Sequence, residues 1–130
     1  MIKKIEAIIR EEALPRVKEA LTAAGIIGLN VTEIRGRGRQ REIEHDWHYS
    51  YTHDDLLTKV QVNIVLSERN VARTVDTIVA AAQTGKEGDG IIFVYPVDDV
   101  IRIRSGERGA QALHYPGDID ERGDGPRGAR

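Results

Sequence analysis

Apolar and charged residues interleave from the second position of this chain, in Ile2-Lys3-Lys4-Ile5-Glu6-Ala7-Ile8-Ile9-Arg10. An isoleucine-rich run of this kind predicts a strand, where successive side chains point to opposite faces of a sheet. Pro15 then suits the first turn of a helix, with Leu14, Val17, Leu21 and Ala24 at helical spacing and Gly25 as its stop. Leu29 to Arg35 alternates again, and Lys59 to Leu66 does so most plainly. Ser67 is placed to cap a second helix with a buried stripe of Val71, Val75, Ile78, Val79 and Ala82, ending at Gly85. Ile91 to Tyr95 predicts a fourth strand and Val100 to Arg104 a short fifth.

Strand-helix-strand followed by strand-helix-strand predicts an α+β chain with the ferredoxin-like double β-α-β arrangement. That is an antiparallel sheet with two helices on one face. The second face would have no cover of its own. Because the strands carry apolar side chains on both faces, it is expected to be buried against other subunits.

Two segments break the periodicity. Arg41 to Thr58 joins two strands over more residues than a hairpin needs, and carries Glu44, Asp46, His45, His48 and His53 with Trp47, Tyr49 and Tyr51. The histidines and carboxylates match no strong metal-binding spacing, so solvated loop residues are the expectation. Residues 114–130 are rich in Gly, Pro and charge, which predicts a disordered tail.

Composition narrows the classes. The chain has 130 residues, 40% hydrophobic and 31% charged, which fits one globular domain. A net charge of −2 and 5% aromatic residues argue against a nucleic-acid module. The absence of cysteine excludes disulfides and thiol catalysis. No apolar run approaches the roughly 20 residues of a membrane span, and the N-terminus shows no signal-peptide core. The expected location is cytoplasmic.

The candidate chemistry lies in Thr84-Gly85-Lys86-Glu87-Gly88-Asp89-Gly90 and in Arg102-Ile103-Arg104. Glycine lets main-chain amides approach a ligand, and two arginines on one strand face would present paired guanidinium forks. Together they predict an anion site, with phosphate the first candidate. Asp89 is a poor neighbour for phosphate and is expected to brace the loop.

These features resemble the P-II signal-transduction family, regulators of nitrogen and related metabolism. The resemblance rests on the opening strand Met1 to Arg10, on Val31-Thr32-Glu33 with Gly36-Arg37-Gly38-Arg39-Gln40, on Thr84 to Val97, and on Ile101 to Gly109. It implies a domain over residues 1–113 with a T-loop at about 37–58, and a homotrimer. It also implies adenine nucleotides (ADP, AMP or ATP) held at subunit interfaces by Gly36, Arg37, Gly38, Arg39, Gln40, Asn63, Gly88, Asp89, Gly90, Arg102 and Arg104. In the family the residue matching Gln40 ligates magnesium with ATP, and that matching Lys59 pairs with a 2-oxoglutarate carboxylate. Gln40, Lys59 and Gly88 are therefore candidates for 2-oxoglutarate or another small anion. The nucleotide acts there as a ligand, so no cofactor is required. Regulation of a target enzyme, transporter or regulator through the T-loop, rather than catalysis, is the implied function; the alternative is a slow nucleotide hydrolase.

The chain departs from the family pattern in places. Ile91 stands where a basic residue usually follows Gly-Asp-Gly. Asn63 and Asn30 replace an acidic residue and a threonine. Thr52 occupies the position of the uridylylated tyrosine.

Overall fold

The computed structural model describes residues 1–37 and 56–122. Most of the T-loop, with Gly38, Arg39, Gln40, the three histidines and Thr52, lies outside the described residues, as does 123–130. Four strands form one sheet: β1 (Ile2–Arg10), β2 (Asn30–Gly36), β3 (Leu57–Ser67) and β4 (Gly90–Val97), in the order β2-β3-β1-β4. Every pairing is antiparallel. Helices α1 (Leu14–Ala23) and α2 (Val71–Ala82) cover one face, as the ferredoxin-like reading requires.

Register fixes which face each side chain takes. Ile5 pairs with Ile64 and Ala7 with Val62, so Ile5, Ala7, Ile9, Val60, Val62, Ile64 and Leu66 all point under the helices. Val17 and Leu21 of α1 and Ile78 and Ala82 of α2 meet them there. Each buried valine, leucine or isoleucine among them contributes about 1.5–3 kcal/mol. The opposite face carries Lys4, Glu6 and Ile8 on β1, opposite Tyr95, Phe93 and Ile91 on β4. Those three β4 residues remain 39–54% exposed, a band of apolar surface without cover in one subunit.

Gly25 ends α1 as expected. Its φ of 92° lets its amide bond Thr22 O at 3.0 Å, and Ile26 N bonds Leu21 O at 2.9 Å, a Schellman closure. Helix α2 differs from expectation at both ends. The Ser67 side chain makes no capping bond, and a 3-10 turn, Glu68–Asn70, precedes the helix. The helix stops at Ala82, and its buried stripe is Thr74, Ile78 and Ala82; Val79 is 42% exposed. Thr74 can occupy the core because its hydroxyl donates to Asn70 O at 2.8 Å.

The predicted fifth strand is absent. Val100 to Arg104 instead enters a tight turn. Ile101 bridges Arg108 alone, Gly106 N bonds Arg102 O at 2.7 Å, and Gly106 and Gly109 adopt φ of 77° and 74°. Strand alternation therefore does not place the two arginines.

The tail after Leu113 also departs from expectation, at least as far as 122. A short helical turn α3 (Ile119–Arg122) buries Ile119 to 1% exposure in the main core. One apolar anchor suffices because flanking groups satisfy the polar atoms. Asp118 accepts from Ile27 N at 3.1 Å, Ile119 N donates to Gly25 O at 2.8 Å, and Asp120 accepts from Ser67 N at 2.8 Å. The Tyr115 ring covers Gly28, where a Cβ would lie 2.8 Å from it.

Candidate functional site

The glycine loop runs from α2 to β4 and is built around Asp89. The Asp89 carboxylate accepts from the Thr84 hydroxyl (2.5 Å), Thr84 N (2.7 Å) and Gly85 N (2.9 Å), and pairs with Arg10 Nε at 3.1 Å. Burial opposes its charge, but the Thr84, Gly85 and Arg10 hydrogen bonds prevail and hold the carboxyl well below the usual carboxylate range. Arg10 also donates to Glu87 O at 2.8 Å. Asp89 thus ties the loop to itself and to the end of β1, which is the bracing role its chemistry suggested.

The sign of the pH effect follows. A carboxyl whose folded pKa is depressed stabilises the fold above its unfolded pKa, near 3.9. That contribution is lost as pH falls from there through the lower folded value. Asp89→Ala is expected to cost about 1–3 kcal/mol at pH 7. Asp89→Asn should flatten the stability-against-pH curve below about pH 4, as denaturant titrations at successive pH values would read out. An unaltered acid limb in Asp89→Asn would contradict this assignment.

Among the described residues, Lys59 ties this loop to β3. It stands near the start of β3, where the chain returns from the T-loop, and its ammonium donates to Gly88 O at 2.8 Å. Gly36, at the other base of the T-loop, pairs with Leu57 on the neighbouring strand, and Arg37 follows it. Asn63 lies elsewhere. It is four residues further along β3, about 13 Å at the ~3.3 Å rise of a strand, and its amide donates to Asn30 Oδ1 at 3.0 Å.

Arg102 and Arg104 line a cleft of about 510 Å³ with Glu107, Gln111, His114, Tyr115, Pro116 and Glu121. Arg102 Nη2 donates to Ala112 O (2.8 Å) and His114 O (3.1 Å), and its Nε lies 3.6 Å from Glu107. Nothing in the sequence pattern pointed to these two carbonyl partners of Arg102.

One subunit keeps the two candidate halves apart. Gly90 begins β4 opposite Ile9, whereas Val97 ends it opposite Ile2, which is itself opposite Ser67. The arginine cleft belongs to the second end, where Asp120 is bonded to Ser67 and neighbouring Glu121 lines the cleft. Gly90 and Val97 are the two ends of the eight-residue β4, roughly 23 Å apart at a strand's rise. The sequence-based picture of a glycine loop beside the arginines therefore does not hold within a single chain.

Fold and cleft define a small ferredoxin-like domain whose glycine loop and arginine cleft sit at opposite ends of one sheet. Residues 2–107 match the family described as "Nitrogen regulatory protein P-II". The chain is 50% identical over 112 residues to nitrogen regulatory protein P-II 2 of Methanothermobacter thermautotrophicus, covering 86% of this chain and 97% of that protein. It is 47% identical to the nitrogen regulatory protein P-II of Nostoc punctiforme, covering 86% of this chain and all of that one. Among solved structures, Arabidopsis thaliana PII bound to citrate superposes with a TM-score of 0.71 at 39% identity, over 85% of this chain and 91% of that one. This chain belongs to the P-II family of nitrogen regulatory proteins. Among the described residues no helix is long and apolar enough to cross a membrane.

Proposed function

We propose that this chain is an adenine-nucleotide sensor whose site is assembled between copies. In this reading the glycine loop Thr84–Gly90 of one subunit faces the Arg102–Arg104 turn of another, and ligand occupancy is passed through the T-loop to a target protein in nitrogen or carbon metabolism. The observation that carries it is the Lys59–Gly88 hydrogen bond, which joins the loop suited to phosphate to the strand leaving the T-loop. A ligand biases a loop only by its differential affinity for two loop states, so a direct mechanical connection is what such coupling needs.

The separation of the halves along β4 favours an intersubunit site over one within a chain. The exposed band of Ile91, Phe93 and Tyr95 supports association, with a homotrimer as the expected assembly. Gly36, Arg37, Gly38, Arg39 and Gln40 would form the T-loop side of the pocket, and the Gln40 amide oxygen is a hard ligand of the kind Mg²⁺ takes. Lys59 is suited to a carboxylate effector such as 2-oxoglutarate, and the citrate in the Arabidopsis relative supports a small polycarboxylate as a second ligand class.

The hydrolase alternative is weaker. Asn63, where an acid would have to take a proton, presents an amide paired with Asn30. Turnover at or below about one per minute would fit a sensor, since enzymes typically run at about 1–1000 per second. The deciding experiment is calorimetry with ADP, ATP and AMP, each with and without Mg²⁺ and 2-oxoglutarate or bicarbonate. Saturable ADP binding that alters T-loop proteolysis supports the sensor. No adenine-nucleotide binding at any concentration below about 1 mM would overturn it.

Ile91 sharpens the nucleotide preference. It follows Gly90 directly and is 54% exposed, so the usual position of a phosphate-facing cation is held by an aliphatic chain. The need for a cation grows from AMP through ADP to ATP, and ADP or AMP should bind at least as tightly as ATP. Ile91→Lys should favour ATP selectively by about 1–2 kcal/mol. Wild-type preference for ATP, with no selective gain in the variant, would assign the missing charge to Lys86 or another subunit.

A further inference from the structure

We infer that residues 114–122 form a strap that sets the Arg102 guanidinium for an anion, with Asp120 as the positioning residue that pins the strap. The inference rests on the nucleotide reading above and adds a component outside the span that matches the family, which ends at residue 107.

The mechanical chain is continuous. Both bonds of Arg102 Nη2 go to carbonyls at the root of the strap, Ala112 and His114. From there Tyr115 and Pro116 form the wall of the arginine cleft, and Tyr115 lies against Gly28. The strap then docks through Ile119 in the core and Asp120, which is 3% exposed. Asp120 accepts from Ser67 N at 2.8 Å and from Asn70 Nδ2 at 2.6 Å, while Arg69 Nη2 donates to Asp120 O at 2.6 Å. With both Nη2 protons committed to these carbonyls, the guanidinium plane is fixed. A guanidinium held in place loses less entropy on binding a phosphate than a swinging one.

The same wall carries carboxylates, and they are restrained. Glu121 accepts from Gly117 N at 2.6 Å, and Glu107 lies by Arg102 Nε and accepts from the Ser105 hydroxyl at 3.2 Å. An incoming polyphosphate would exchange the Glu107 contact for its own while leaving the Nη2 bonds in place. The strap therefore favours ligand binding.

The test uses the full chain with Asp120→Ala, and Ile119→Ala as a second variant that removes the apolar anchor instead. ADP affinity by calorimetry should fall about fivefold in each, and less than twofold when the same change is made in an Arg102→Ala background. A purely structural strap would give equal losses in both backgrounds, and an idle one would give none; either result overturns the inference. A ligand-free readout separates this from the nucleotide reading. Nitrogen-15 resonances of the Arg102 guanidinium should show restricted rotation in the wild type and averaging in both strap variants. Absence of ADP binding to the wild type would overturn the nucleotide reading, while unchanged Arg102 resonances in the variants would overturn the strap.

Discussion

Replacing Gly90 by alanine is expected to destabilise the fold by about 2–4 kcal/mol, more than the same change at Gly85 in the same loop. A Cβ at Gly90 would sit 2.0 Å from Ile8 O, a main-chain atom of the neighbouring strand, at a φ of 127°. Neither strand can yield without opening the β1–β4 ladder, because Gly90 pairs with Ile9 at its end. The loop anchored by Asp89, one residue earlier, would move with it, so ligand affinity should fall together with stability. Gly85 is the control. Its φ is 88°, but a Cβ there meets nothing within 4 Å, so alanine should cost only the backbone strain, about 1–2 kcal/mol. Denaturant midpoints for the two variants give the answer. A Gly90→Ala chain no less stable than Gly85→Ala would show that β1 and β4 are paired otherwise.

Arg102→Ala and Arg104→Ala are each expected to weaken ADP binding about tenfold or more, since a charged phosphate contact contributes about 1.5–3 kcal/mol. The two variants should part company in stability. Arg102 binds the Ala112 and His114 carbonyls and its removal leaves them without that donor. Arg104 lines the cleft in an exposed position, so Arg104→Ala should melt like the wild type. Calorimetry and thermal denaturation on the same preparations test both halves. Unchanged affinity in both variants would place the nucleotide elsewhere.

The four strands, two helices and their one-sided packing were legible because alternation and helical spacing are local signals with distinct periods. What escaped was set by contacts distant in sequence. Ser67 has the chemistry of a cap, but its hydroxyl makes no capping bond, and its amide donates to Asp120, 53 residues away. Residues 114–122 read as a tail on composition; one isoleucine and two aspartates dock them, a pattern too sparse for any periodicity to reveal. Ile101-Arg102-Ile103-Arg104 has the alternation of a strand, yet Gly106 and Gly109 turn the chain before a ladder can form. In the candidate site, the bracing role of Asp89 followed from its side-chain chemistry. The distance between glycine loop and arginine turn did not, because it depends on the length and register of β4.

The central claim is a nucleotide site shared between copies, and subunit complementation tests it most directly. Asp89→Ala disables the loop half and Arg104→Ala the arginine half. The two variant chains, unfolded together in equal amounts and refolded, should form mixed oligomers in which roughly a quarter of the sites unite an intact loop with an intact arginine turn. The account predicts that this fraction binds ADP with wild-type affinity, although neither variant does so alone. Mixed oligomers without any tight site would contradict it, and so would a chain that binds ADP tightly as a monomer.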